Sequence, residues 1–265
     1  MYCNNIGVLN DWHFKEKIFV SRSNKILNNS SSKGNQCKWY IDNKFIKLDT
    51  WKWYESISEV LVSLLMQYSD VKYYVNYYFC KIYEDTEFIG NGCYSENFLQ
   101  DGESDITFSR LLKNYGIDIG AISYEDTRDC ISEIIGFDIK GYMDRCLCID
   151  AITFNEDRHL NNLSVIKTKN GYREAPVYDN GLSCLSDIFS YPLDVPLTDN
   201  LKKVYAMPFD TSFIKQLEGK FMKPIYINVM KFFNNITPMC KEEERALSVI
   251  KEGLERTKGL AWEEF

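Results

Sequence analysis

Over roughly the first hundred positions apolar and polar residues exchange in short, strand-sized runs; beyond them the apolar spacing lengthens to the three-and-four rhythm of helices. Ile18, Phe19 and Val20 make the first β-prone run, and residues 37–41 and 44–48 make two more. Only Asp42 and Asn43 separate the last two, a pair suited to a tight hairpin turn. Between the first run and this hairpin, residues 28–35 read Asn-Asn-Ser-Ser-Ser-Lys-Gly-Asn, a polar cluster that predicts a loop. Ile57, Val60, Leu61, Leu64 and Leu65 then share one face of a predicted helix over 55–68, which Ser56 or Ser58 would begin. An aromatic stretch over 71–83, followed by Phe88, Ile89 and residues 92–98, predicts that the sheet resumes and ends in a connector. Past Gln100 the apolar spacing predicts helices over 106–112, 126–135 and 140–151, and a helix-favouring Glu/Lys/Leu composition predicts one over 241–258. The expected organisation is α+β, with a sheet-rich lobe over 1–97, a mainly helical lobe over 98–265, and no internal repeat.

Composition narrows the function without naming it. The chain has 265 residues, 45% hydrophobic and 26% charged, which fits one globular two-lobed unit whose 18 Tyr and 16 Phe make core and cleft aromatic. A net charge of -7 spread along the chain gives no basic face, so a direct nucleic-acid partner is not expected. Residues 1–10 show no cationic segment leading into an apolar run, and no stretch reaches the roughly 18 apolar residues of a membrane span. A soluble, cytoplasmic protein without membrane association is expected. Nine scattered cysteines suit reduced thiols, and the Cys146/Cys148 pair with only two histidines does not assemble a zinc site.

The chemistry concentrates in residues 153–181. Asp157 and Asn162 stand in the spacing D-x-x-x-x-N, strand-like residues 163–166 follow, and after a turn at Asn170-Gly171 comes Ala175-Pro176-Val177-Tyr178-Asp179-Asn180-Gly181. Phosphoryl transfer needs magnesium held against phosphate oxygens and a carboxylate beside the attacking hydroxyl. Asp and Asn supply hard oxygen ligands, so Asp157 is expected to orient the nucleophile while Asn162 and Asp179 bind the metal. Taken singly, D-x-x-x-x-N arises by chance and Asp-Asn-Gly is a good turn; their succession around one apolar strand carries the functional reading.

The pair E-D-R-H-L-N-N-L-S-V-I (156–166) and Y-R-E-A-P-V-Y-D-N-G-L-S (172–183) resembles the HipA-like protein kinases, and Asp-Arg-His is similar, more distantly, to the catalytic loop of phosphatidylinositol kinases. The resemblance is specific over 145–185 and thinner elsewhere. It implies a bilobal protein-kinase-like fold, ATP and Mg as cofactors, and a protein substrate with serine or threonine acceptors. It also implies that His159 braces the catalytic loop or reaches phosphate; Arg158 stays open between a solvated residue and a phosphate partner.

A kinase further needs a lysine on the nucleotide phosphates, paired with a helix glutamate. Strand alternation puts Phe45 and Lys47 on one face and Ile46 and Leu48 on the other, which favours Lys47 over its rivals Lys38 and Lys44. Glu59 is its expected helix partner, with Glu55 as the alternative. Ser31, Ser32 and Gly34 lie where a kinase has its phosphate lid, and the resemblance implies Ser30, Ser31 and Ser32 as autophosphorylation sites; a plain flexible turn is the competing reading. The connector at Glu96, Asn97 and Phe98 is the expected adenine hinge. Compared with longer HipA toxins, 265 residues leave little room for their additional amino-terminal domain, so an antitoxin or regulatory partner enters by analogy alone. The competing functions are a small-molecule or phosphoinositide kinase and a nucleotide-binding pseudokinase that acts as an interaction module.

Overall fold

The computed structural model describes residues 13, 15–26, 36–50, 54–120, 122–218 and 223–265. Ser30, Ser31, Ser32 and Gly34, and with them the predicted phosphate lid, lie outside the described residues. The elements run β1 (Glu16–Val20), β2 (Lys25–Ile26), β3 (Lys38–Ile41), β4 (Lys44–Leu48), α1 (Glu55–Gln67), β5 (Tyr78–Glu84), β6 (Glu87–Glu96), β7 (Ser104–Thr107), α2 (Phe108–Asn114), α3 (Tyr124–Ile135) and α4 (Lys140–Thr153). They continue with β8 (Ser164–Thr168), β9 (Gly171–Glu174), α5 (Leu197–Asn200), α6 (Phe213–Leu217), β10 (Ile225–Ile227), α7 (Val229–Asn234), α8 (Lys241–Thr257) and β11 (Trp262–Glu264).

Six strands form one sheet in the order β1-β5-β6-β4-β3-β2, parallel only at β1–β5. The β3–β4 hairpin turns through Asp42 and Asn43, both in the left-handed region at φ 49° and 63°, which Asp and Asn tolerate better than other non-glycine residues. Alternation then sorts the side chains. Ile18, Val20, Trp39, Ile46, Cys80 and Ile82 make a small core on one face, while Phe79 and Cys93 join Val60 of α1 on the other. Lys47 pairs in register with Cys93 and so faces the α1 side, as the alternation predicted.

Helix α1 does not behave as a one-faced amphipathic helix. Val60 packs toward the sheet, whereas Leu61, Val62, Leu65 and Met66 enter the large core built with α2, α3, α4 and α8. A helix buried on both sides couples the two halves and fixes whatever polar groups it carries.

Three expectations about elements need correction. Within the aromatic stretch 71–83 only residues from Tyr78 onward form strand; the segment before it runs beside Val177, with Val75 N–H donating to Val177 O (3.0 Å) and Val177 N–H to Tyr73 O (3.1 Å). The predicted helix over 106–112 splits, because Asp105 and Ile106 pair with Ile166 and Val165 of β8 while Thr107 caps α2 by accepting from Arg110 N–H. The later half also holds two small sheets, β7-β8-β9 and the parallel pair β10-β11, and is less purely helical than its spacing suggests.

Helices α4 and α8 meet at Gly253. A Cβ there would lie 1.8 Å from the Ile152 carbonyl oxygen, so only glycine permits this approach. The contact matters because α4 leads directly into residues 154–163. Among the described residues, no helix is long and apolar enough to cross a membrane.

Candidate active site

Helix α4 ends at Phe154, whose left-handed φ of 54° turns the chain out of the helix. The following loop is pinned by its own polar groups: His159 N–H donates to Asp157 O and Asn162 N–H to His159 O, each at 2.8 Å. Asn162 Nδ2 donates to Asp157 O (2.7 Å) and to Asp157 Oδ2 (3.1 Å). With the amide nitrogen so engaged, Asn162 Oδ1 is the atom with metal-ligating capacity.

Arg158 resolves the question its neighbours left open, and neither expectation holds. It is fully buried, donating from Nε to Asp150 Oδ2 (2.9 Å), from Nη1 to the carbonyls of Asn162 (3.1 Å) and Tyr178 (2.9 Å), and from Nη2 to Asn180 Oδ1 (2.6 Å). One guanidinium thus holds α4, the 157–162 loop and the 178–180 segment together. Burial opposes its charge, but Asp150 outweighs that and holds the Arg158 pKa above its ordinary value. Burial pushes Asp150 upward against the pull of Arg158.

After the β8–β9 hairpin, buried Ala175 and Val177 carry the chain to Asp179, which adopts φ 59°. Here the long-range group assembles. Lys47 Nζ lies 2.5 Å from Glu59 Oε1 and 2.6 Å from Asp179 Oδ1, above the ring of Tyr77 at 5.1 Å. Glu59 Oε2 accepts from Asn180 N–H (2.8 Å), so one glutamate holds both the lysine and the backbone next to Asp179. Burial works against the Lys47 charge, yet Asp179 and Glu59 together raise its pKa well above the ordinary value. Burial likewise opposes ionisation of Asp179, but Lys47, with Lys38 beyond it, holds its pKa well below the usual carboxylate range.

The rivals go elsewhere. Lys44 pairs with Glu16 (3.1 Å), and Glu55 accepts from Thr50 N–H (3.0 Å). Lys38 lies across from Lys47 on β3 and touches the group only through its charge on Asp179.

Asp157 is partly buried, and burial raises its pKa; His159 pulls it down and Asp179 adds to the rise. His159 Nε2 stands 3.7 Å from Asp157 Oδ1, and neither ring nitrogen has a hydrogen-bond partner among the described residues. Its imidazole therefore braces nothing by hydrogen bonding; Arg158 does the bracing. Glu96 is the exposed last residue of β6, paired in register with Lys44, three positions before Lys47. Phe98 packs on Tyr178 with ring centroids 5.4 Å apart, and its carbonyl accepts from Arg173 Nη2 (3.3 Å).

Sequence reasoning missed Tyr77, Asp150, Asn180 and the Tyr178 hydroxyl, which donates to Asp105 Oδ2 (2.8 Å). Asp150 had a signal: it is an aspartate inside the apolar run Cys-Ile-Asp-Ala-Ile, where a carboxylate demands a buried partner. Asn180 was legible only as a turn residue, and Tyr77 as another aromatic.

Asp179 offers a carboxylate and Asn162 an amide oxygen, the hard oxygen donors that a cation such as magnesium takes. Lys47 sets a buried positive charge directly against Asp179.

Two solved structures share this architecture. A proinflammatory kinase of Helicobacter pylori, CtkA, superposes with a TM-score of 0.61 at 12% identity, over 90% of this chain and 94% of that one. HipA of Shewanella oneidensis MR-1, determined with HipB and operator DNA, superposes with a TM-score of 0.51 at 14% identity, over 86% of this chain and 64% of that one. No protein-family model and no curated protein matches the sequence. The chain therefore has the bilobal fold of the HipA-like kinases, reached at a sequence identity that establishes the fold alone.

Proposed function

We propose that this chain is an ATP- and magnesium-dependent protein kinase of HipA-like type that phosphorylates serine or threonine. The observation that carries the reading is the position of Lys47 Nζ between Glu59 and Asp179. A buried lysine held by a helix glutamate, and within reach of a metal-type aspartate, is the arrangement that places positive charge on nucleotide phosphates.

In this mechanism the nucleotide lies between the six-stranded sheet and the later half of the chain, with the lobe boundary near residues 97 and 98. Lys47 binds the α- and β-phosphates, and Asn162 and Asp179 hold the metal. When bound there, magnesium would supply charge neutralisation on the phosphates. The substrate hydroxyl attacks the γ-phosphorus, the bond to the β-γ bridging oxygen breaks, and Asp157 accepts the hydroxyl proton. His159, in the same loop as Asp157, is the proposed donor to the transferred phosphoryl oxygens. Ser30, Ser31 and Ser32 are the proposed autophosphorylation sites. The relation to HipA, solved with HipB and DNA, suggests a toxin-type role with an antitoxin or regulatory partner chain, in the cytoplasm.

The test is labelled ATP with magnesium, supplied to wild type, Asp157→Ala and Asp179→Ala. Label incorporated by wild type and lost in both variants is the expected result, mapped to Ser30–Ser32 or to an added protein. Equal labelling in all three would overturn the assignment of these residues, and no ATP binding by wild type would overturn the kinase reading.

A further inference from the structure

Beside the base lies a second cavity that the phosphoryl-transfer chemistry does not use. It encloses about 160 Å³ and is lined by Glu156, Leu182, Ser186, Asp187, Ser190, Tyr191 and Tyr205. Its two sides are the segment that ends at Asp157 and the segment that follows Asp179. Glu156 N–H meets Leu182 O (3.4 Å), and the Ser186 hydroxyl donates to Gly181 O (2.7 Å).

Size sets the first limit. At about 30 Å³ per water, the cavity holds roughly five waters, and it falls below the roughly 300 Å³ at which small-molecule sites begin. It fits one amino-acid side chain. Charge sets the second: the lining carries two carboxylates, Glu156 and Asp187, and no cationic residue. Both carboxylates are held in place. Glu156 Oε1 accepts from the Tyr191 hydroxyl (2.6 Å) and from Tyr205 N–H (3.1 Å). Asp187 accepts from Phe189 N–H (3.0 Å), Ser190 N–H (3.3 Å) and the Ser190 hydroxyl (2.7 Å). The apolar edge from Leu182 and the tyrosine rings suits the methylene stem of a long cationic side chain.

Position sets the third. Glu156 is the residue immediately before Asp157, about 3.8 Å away between Cα atoms, so the cavity it lines lies within the reach of a few residues of a peptide whose hydroxyl meets Asp157. We infer that the cavity is a specificity pocket for an arginine or lysine of the protein substrate, close in sequence to the phosphorylated residue. The inference rests on the kinase reading for its place in catalysis, and its test separates the two.

Alanine-rich nonapeptides with alanine in the acceptor position carry a single arginine, or norleucine of similar length, at each of the three places on either side. Binding of these labelled peptides is measured by fluorescence anisotropy on wild type, Glu156→Gln, Asp187→Asn and Asp187→Lys, each first checked for a cooperative melt. Wild type is expected to favour arginine over norleucine by about tenfold at one position, the size of one charge-assisted contact. The preference disappears in Glu156→Gln and Asp187→Asn and turns toward norleucine in Asp187→Lys. Indifference to arginine at every position, or a preference unchanged in all folded variants, overturns the inference. A second arm replaces the central alanine with serine and follows phosphate transfer. Transfer without a basic preference overturns the pocket while sustaining the kinase; variant-sensitive arginine binding without any transfer supports the pocket and counts against the kinase.

Discussion

Arg158 Nε donates to Asp150 Oδ2 at 2.9 Å with both side chains fully buried, and this pair ties the end of α4 to the loop that carries Asp157. Removing one partner would strand a charge in the interior, a change that costs about 3–5 kcal/mol. Arg158→Leu is therefore expected to lower unfolding stability by that amount in a urea titration. Asp150→Asn strands the Arg158 cation, which cannot shed its proton, and is expected to cost at least as much. Equal stability of Arg158→Leu and wild type would show that the pair is dispensable.

Lys47 stands between two carboxylates, so its replacement changes more than one contact. Lys47→Met leaves Glu59 and Asp179 facing each other without a cation. The expected result is a fall of about 10²-fold or more in kcat/KM for phosphate transfer, with a smaller fall for Glu59→Gln, which retains the acceptor to Asn180 N–H. Steady-state kinetics with labelled ATP reads both.

The entry to α1 holds two carboxyl groups that prefer to be neutral. Burial raises Asp49 to about 6, against hydrogen bonds from Ser56, and raises Glu55 to about 7, against those from Thr50. A raised carboxyl binds its proton more tightly in the folded state, so its stabilising contribution is complete below the unfolded pKa and fades as pH rises toward 6 and 7. Each group can contribute a slope of up to about 1.4 kcal/mol per pH unit in that window. Melting curves from pH 4 to 7.5 should show Glu55→Gln gaining on wild type as pH rises; parallel curves would refute the burial of that charge.

Gly253 lets α8 lie on the α4 backbone. Gly253→Ala must push the helices apart, and overpacking of this kind costs about 1–3 kcal/mol, set against the gain in helix propensity. Since α4 feeds the 157–162 loop, the variant is expected to lose thermal stability and phosphate-transfer rate together. A stabilised Gly253→Ala would show that the two helices can separate freely.

The sequence by itself determined the elements whose signal is local. The β3–β4 hairpin follows from two strand-sized runs around Asp-Asn, α1, α3 and α4 from three-and-four spacing, and α8 from its helix-favouring composition, because each signal is local. The D-x-x-x-x-N spacing of Asp157 and Asn162 was legible in the same way, although the loop that joins them is braced from outside by Arg158 and Asp150. Tertiary structure alone decided the rest. Pairing with β8 overrode the helical spacing at 106 and 107, and Val177 held the 71–77 segment outside the sheet. Strand alternation could say which face Lys47 occupies, but only the approach of a segment 132 residues away supplied Asp179 to that face. Arg158 and Asp150 show the general reason. A buried charge is defined by its partner, and when the partner comes from another element, no local pattern of apolar and polar residues carries its identity.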